Sequence, residues 1–247
     1  MSANLVQLLN QYVFEYTNKE TGKVVKFKPI TTGQMKTMLS YEDNENIGAV
    51  DDMLDSLIKG CVVSEDFNID TFTIQDRFDL LLEIRKKSKG EVYTFTSSCS
   101  DCNGKTINSI NLDKLEVRPF PQKVNKILKI NDNLSVELDF LRRGYQKEVY
   151  KDIEEQKGLS DKQKTVEVAT ALYAMSIRRF ITPQGDVKDV TINDKKDFLN
   201  ALSGNDYEKL GNWFIDNDYG TVFKYKVKCH SCKKEEEHSI PITSFFS

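Results

Sequence analysis

Hydrophobic positions along the chain follow two rhythms, a period of two and a period near 3.6, and the switches between them mark its elements. From Tyr12 to Ile30, Phe14 and Tyr16 alternate with Val13, Glu15 and Thr17. The chain then turns at Glu20, Thr21 and Gly22 into Val24, Val25 and Phe27. This predicts a β-hairpin. Beyond Pro29 a short helix is expected from Thr32 to Ser40, presenting Met35, Met38 and Leu39. Val50, Leu54, Leu57, Ile58 and Cys61 follow at helical spacing, with Asp51, Asp52 and Asp55 set opposite them; the pair Asp51 and Asp52 reads as solvated. A further helix begins at Thr73, three residues before Asp76 as in a capping box, and carries Phe78, Leu81, Leu82 and Arg85 on one face. Lys86, Lys87 and Lys89 match the dipole at its end, and Gly90 terminates it.

The period then returns to two. Val92, Thr94 and Thr96 alternate with Tyr93 and Phe95, lead to Cys99 and Cys102, and turn at Asn103 and Gly104 into Ile107, Ser109 and Asn111. The aperiodic stretch from Leu112 to Pro121 holds Pro119 and Pro121 and is the expected boundary between an N-terminal half, 1–118, and a C-terminal half, 119–247. The two halves could also build one composite domain. The second half opens on another hairpin, Ile127 to Phe140, with Leu134, Val136, Leu138 and Phe140 on one face. A helix through Tyr145, Val149 and Ile153 ends at Gly158. Ser160 and Gln163 cap the next, whose stripe reads Val166, Ala169, Leu172, Tyr173 and Ile177. Phe180 and Ile181 precede a turn at Pro183 to Asp186. Two short helices, Asp194 to Leu202 and Asp206 to Ile215, present Phe198, Leu199, Leu210, Trp213 and Phe214 to a core. Strands from Val222 to Lys228 and from Glu235 to Ile242 flank Cys229 and Cys232.

The two cysteine hairpins echo one another at an offset of 130 residues. Tyr93, Phe95, Cys99, Cys102, Ser109, Ile110 and Leu112 correspond to Phe223, Tyr225, Cys229, Cys232, Ser239, Ile240 and Ile242. Two C-x-x-C pairs suit one tetrahedral Zn²⁺ in a zinc-ribbon arrangement, so Cys99, Cys102, Cys229 and Cys232 are the candidate metal ligands and Zn²⁺ the candidate cofactor. The competing reading is two separate redox centres. Those need a cysteine at a helix N-terminus in a βαβ setting, whereas both pairs here lie between strands. His230 is an alternative ligand with poorer spacing, and His238 is expected to be exposed. Cys61, on an apolar helical stripe, reads as a core thiol. The expected class is α+β: helices with short antiparallel hairpins, in two similar halves joined by the paired cysteine hairpins.

Composition narrows the function more than it shapes the fold. The 247 residues carry a net charge of −3, with 39% hydrophobic and 30% charged positions. That balance gives no general attraction to nucleic acid or anionic lipid. Lys19, Lys23, Lys26 and Lys28 fringe the first hairpin and read as a solvated edge that discourages mispairing. No apolar run reaches the length of a membrane helix, and the first residues lack signal-peptide features, so a cytoplasmic setting is expected. Phosphate-binding loops, dinucleotide fingerprints and nucleophile elbows are absent from the sequence, and the protein is expected not to be an enzyme.

Several stretches carry a family likeness: Phe27 through Pro29, Gln34 and Met35 to Leu39; Ile74 through Phe78 to Arg85; Lys89 to Phe95 ahead of the first knuckle; and the second knuckle before Phe245 and Phe246. In this order they resemble the baseplate hub subunit family of T4-like contractile-tailed bacteriophages. Knuckles of this kind usually read C-P-x-C-G; here both prolines are absent and Gly104 arrives one position late. The resemblance implies a virion or assembly component of the tail baseplate hub. Such a protein works through contacts with other tail and baseplate proteins, in the virion and, during assembly, in the host cytoplasm. No catalytic residues transfer. A tail-assembly chaperone absent from the finished particle and a zinc-ribbon nucleic-acid binder are the alternatives. The dispersed basic pairs (Lys86 with Lys87, Arg142 with Arg143, Arg178 with Arg179, Lys233 with Lys234), each close to acids, count against nucleic acid.

Overall fold

A computed structural model of the protein describes residues 12–39, 47–156, 158–241 and 245. In chain order, β1 (Phe14–Thr17) and β2 (Val24–Phe27) precede the helices α1 (Thr32–Leu39), α2 (Ile47–Cys61) and α3 (Ile74–Lys89). The first knuckle lies between β3 (Val92–Ser98) and β4 (Lys105–Asn111), followed by β5 (Val117–Arg118). Next come β6 (Ile127–Asn131), β7 (Leu134–Leu138), α4 (Arg143–Glu155), α5 (Asp161–Ser176), β8 (Ile177–Thr182) and β9 (Gly185–Val187). The chain continues through α6 (Ile192–Ala201), α7 (Gly204–Asp216) and β10 (Gly220–Thr221). The second knuckle lies between β11 (Lys224–Lys228) and β12 (Glu235–Ser239). Among the described residues, seven helices and short antiparallel sheets make the protein α+β, as expected from its two hydrophobic periods.

Two compact units divide the chain. One takes the described residues of 1–67, 78–118 and 220–247; the other takes 68–77 and 119–219. The first unit gives way to the second between Arg118 and Pro119, and 68–77 and 220–247 are set in the other unit from their neighbours in sequence. Both knuckles therefore lie in the first unit.

In the first unit the β1–β2 hairpin pairs Phe14 with Phe27 and Thr17 with Val24, and Gly22 takes the left-handed φ of 69° that its turn requires. The extended residues after α2 continue this sheet: Val63 N–H donates to the Lys26 carbonyl at 2.9 Å. Helix α3 is the unit's centre. Leu80, Leu81, Leu82 and Ile84 are buried. Arg85 is buried too, and its guanidinium donates to the carbonyls of Phe245, Gly90 and Val92. Gly90, at φ 84°, ends the helix as predicted. Cys61 is a core thiol, pushed up to about 11 by burial.

The reading of Asp51 and Asp52 as a solvated pair is corrected at Asp51. Asp51 and its neighbour on the helix, Asp55, are buried and hold partners, so the helix has packing on more than its apolar stripe. Ser40, Ile242 and Phe246, each at the end of an expected feature, lie outside the described residues.

The second unit is built on a four-stranded antiparallel meander, β6-β7-β8-β9. Only its first hairpin was expected; the pairing of β7 with β8, Val136 opposite Phe180, joins strands separated by two helices. Val136, Leu138 and Phe140 fill the predicted face and meet Ile177, Leu199, Leu210, Trp213 and Tyr219. Trp213 is a packing anchor of this core, as its place on the apolar face of its helix led one to expect, with Nε1–H donating to the Asn125 carbonyl at 2.7 Å. The expected stripe of α5 is corrected at both ends. Val166 is 63% exposed, and Ile177 is the first residue of β8, while Ala171 and Ala174 make the buried face. The capping boxes at Ser160 and Thr191 start α5 and α6.

A buried carboxylate fixes the end of β7. Asp139 accepts from Arg142 at 3.2 Å and from the Phe140 N–H at 3.0 Å, and Arg142 donates in turn to the Thr71 carbonyl. Burial alone would raise its carboxyl, but the charges of Arg142 and Lys126 overcome this and hold it below its ordinary value. A depressed carboxylate stabilises the fold fully above its unfolded value, about 3.9, and loses that contribution as pH falls further. Asp139→Asn is expected to cost on the order of 1–3 kcal/mol at neutral pH. Denaturant titrations should show the gap from the parent closing as pH drops below about 4.

Candidate metal centre

Each knuckle is a turn between paired strands, and the two turns are built alike. Cys99 N–H donates to the Gly104 carbonyl and Asn103 N–H to the Cys99 carbonyl, both at 3.0 Å. Cys229 N–H donates to the Lys234 carbonyl at 2.8 Å and Lys233 N–H to the Cys229 carbonyl at 3.0 Å. Asn103 and Lys233 take left-handed φ values of 55° and 65°. The flanking registers agree as well. Thr94 faces Ser109 and Ser98 faces Lys105, just as Lys224 faces Ser239 and Lys228 faces Glu235. The offset of 130 seen in the sequence thus holds residue by residue through strands, turn and backbone conformation.

The four sulfurs converge. All lie within 4.8 Å of one another, with Cys99 Sγ to Cys232 Sγ and Cys102 Sγ to Cys229 Sγ both at 3.6 Å. These two contacts exchange under the 130-residue shift, as a local two-fold relation requires. A disulfide needs about 2.05 Å, so the thiols are free. Four ligands about 2.3 Å from a tetrahedral Zn²⁺ stand about 3.8 Å apart, and the observed spacing fits that ion. Cys99 and Cys229 are buried, while Cys102 and Cys232 reach the surface. His230 and His238 place no nitrogen in this four-sulfur group.

Two further pairs of contacts lock the knuckles together across the same pseudo-symmetry. Ser100 N–H donates to the Glu236 carboxylate at 3.2 Å, and its counterpart His230 N–H donates to Thr106 Oγ1 at 3.5 Å. Thr106 and Glu236 are themselves 130 residues apart, so each return strand caps the other hairpin's turn. Gly104 leaves room for Ser231, whereas its counterpart Lys234 pairs with Asp101. Neither Thr106 nor Glu236 was singled out in the sequence, although applying the offset of 130 beyond the cysteines pairs them. His238 also differs from expectation: it is half-buried, stacked on Tyr225 at 5.7 Å and 3.2 Å from Glu236. Inside the hairpin pair, Phe95 meets Tyr225 edge-on at 4.7 Å and Tyr93 meets Phe245 at 5.1 Å.

Electrostatics favour thiolate at Cys229. The N–H groups of Cys232 and then Ser231 draw Cys229 down to about 6. Cys232 stands at about 12: the Lys234 N–H favours its thiolate, but the neighbouring thiols of Cys102 and Cys99 outweigh it. Hydrogen bonds from Ser100 hold Glu236 near 2, and Lys234 adds to them. Four sulfur donors around one point, with a ready thiolate at Cys229, suit a soft divalent cation.

Gly104 tests how closely the knuckles pack. A Cβ there would stand 2.8 Å from Ser231 Oγ and 3.1 Å from Cys102 Sγ. Gly104→Ala is expected to destabilise the unit by about 1–3 kcal/mol and to weaken metal retention. Combining it with Ser231→Gly should restore part of both in a chelator competition. The late glycine of the sequence thus has its own role: the left-handed position is Asn103, and Gly104 serves close approach.

Among the described residues no helix is long and apolar enough to cross a membrane. A family model described as T4 bacteriophage base plate protein matches residues 9–247. No curated protein and no solved structure matches the chain.

Proposed function

Because the chain belongs to the T4 bacteriophage base plate protein family, we propose that it is a structural or assembly component of the baseplate hub, acting through protein–protein contacts around a structural Zn²⁺. The observation that carries the metal reading is the convergence of Cys99, Cys102, Cys229 and Cys232 within 4.8 Å. Zn²⁺ held by four thiolates has no open position for water or substrate, so its work is to cross-link the knuckles. Each half, 1–118 and 119–247, supplies one knuckle to the site. The hub assignment draws on the resemblance of the stretches around Met35, Phe78 and Tyr93, and no catalysis is assigned to the protein.

Protein partners suit the surface better than nucleic acid does. Lys86 is matched by Glu83 and Asp113, Arg179 by Glu137 and Asp186, and Lys234 by Asp101 and Glu236. Arg143 is buried. One member of each of these basic pairs is thus matched by acids or buried, which reduces the positive charge available to displace counterions from a phosphate backbone.

Quantitative mass spectrometry of purified tails and of baseplate intermediates from infected cells tests the reading. A fixed ratio to other baseplate proteins in both is expected. Presence in intermediates with absence from finished tails would identify an assembly chaperone instead, and steeply salt-dependent DNA binding would favour the nucleic-acid alternative.

A further inference from the structure

The duplicated hairpins provide an internal comparison, because each position in one has a counterpart 130 residues away in the other. Around the four sulfurs the two sides of this pseudo-symmetry differ in chemistry. The charged residues of one side, Asp101, Lys234 and Glu236, have the neutral counterparts Ser231, Gly104 and Thr106 on the other. The Glu236 side chain is only 12% exposed. Its carboxylate accepts from the Ser100 N–H at 3.2 Å and from the Ser100 hydroxyl, and its Oε1 lies 3.8 Å from Cys99 Sγ. Lys234 pairs with Glu236 at 3.1 Å and with Asp101, and donates to Ser100 Oγ at 3.3 Å. Across the pseudo-axis, one hydrogen bond among the described residues ties the opposite turn to the first hairpin. It runs from His230 N–H to Thr106 Oγ1 at 3.5 Å, the outer limit for such a bond. Asn108, the counterpart of His238, donates to Ser97 Oγ and the Thr106 carbonyl within its own hairpin.

We propose that Glu236 is a positioning residue that makes the first knuckle the fixed half of the metal centre, and that the metal enters and leaves through the second knuckle. Four closed ligands leave no open position for an incoming chelator, so exchange begins when one knuckle swings its two sulfurs away. The knuckles share turn geometry, strand register and the burial of their cysteines, so none of these features sets a preference. What differs is the tie on each turn. Glu236 holds Ser100 by two charge-assisted bonds, whereas Thr106 holds His230 by one long neutral bond. Charge-assisted bonds are about twice as strong as neutral ones, which favours opening at the second knuckle by roughly fivefold. Partners of this kind never touch the ion, yet by orienting its ligands they govern how it is held. The inference rests on the four-cysteine reading of the metal centre and deepens it.

Timed alkylation of the zinc-loaded full chain with iodoacetamide in excess chelator, read cysteine by cysteine by mass spectrometry, tests it. Each rate is divided by that of the same cysteine in the unfolded chain. Cys229 and Cys232 are expected to react roughly fivefold faster than Cys99 and Cys102. Glu236→Gln should bring this ratio near one, and Ser100→Ala, a milder change to the same tie, should lower it part of the way. Glu237→Gln breaks the 3.0 Å pair with Lys224 on the outer face of the same strand and should leave the ratio unchanged. A general loss of stability speeds all four cysteines together, so it does not move the ratio. Equal rates in the parent, or faster reaction at the first knuckle, overturn the proposal while the metal reading stands. So does a ratio unmoved in Glu236→Gln or, should that variant not fold, in Ser100→Ala. Cysteines that zinc does not protect at all would instead remove the metal reading, and this inference with it.

Discussion

Alanine at Cys99 or Cys229 is expected to release the metal and unfold the first unit. Both thiols are buried, and each contacts a sulfur of the opposite knuckle at 3.6 Å. A structural zinc supplies on the order of 10 kcal/mol, comparable with the whole stability of an ordinary domain. The knuckle hairpins have little else of that size. Their shared aromatic contacts, Phe95 with Tyr225 and Tyr93 with Phe245, add about 1 kcal/mol each beyond burial, and the caps at Ser100 and His230 are single hydrogen bonds. Loss of the β-signal in circular dichroism on adding chelator to the parent protein should mimic the substitution. Cys102→His is the control. It keeps four ligands in a Cys₃His set and is expected to retain the metal and most of the stability. If Cys99→Ala melted within a few degrees of the parent, the cluster would not be holding the unit.

Phe140→Ala is expected to be the costliest single change in the second unit, about 3–5 kcal/mol. Phe140 lies within 5.7 Å of three other rings, those of Phe120, Trp213 and Tyr219, and is buried at the end of the predicted face of β7. Removing it opens a cavity that the stiff sheet behind it cannot close. Trp213, the sole tryptophan, reports directly on that core. Its emission should shift toward that of solvated indole at lower denaturant concentration than in the parent. Metal content should stay unchanged, since all four cysteines belong to the other unit. A loss below about 1 kcal/mol would mean that the ring cluster is not the centre of this core.

What was legible in the sequence is what local chemistry encodes. Thiol spacing, strand alternation and the offset of 130 predicted the knuckles and their pairing, and the capping residues Ser160 and Thr73 marked real helix starts. What was missed depends on contacts between distant segments. Strands β8 and β9 complete a sheet with β7 across two intervening helices, and nothing near Phe180 announces that partner. Asp51 looked solvated because a stripe of apolar residues lay opposite it, yet tertiary packing covers its side of α2 as well. Val166 fits a helical stripe that the fold leaves in water, since the buried face of α5 runs through the small residues Ala171 and Ala174. The chain returns after Tyr219 to its first unit and brings both knuckles together there. Glu236 and Thr106, which tie those knuckles, gain their roles only through that return.

Metal analysis of freshly purified, unchelated protein is the most direct measurement of the central claim, that the duplicated hairpins close on one ion. About one zinc per chain is the predicted result, lost together in Cys99→Ala and Cys229→Ala and retained in Cys102→His. Less than roughly half a zinc per chain, or zinc that persists when Cys99 and Cys229 are both replaced, would contradict it.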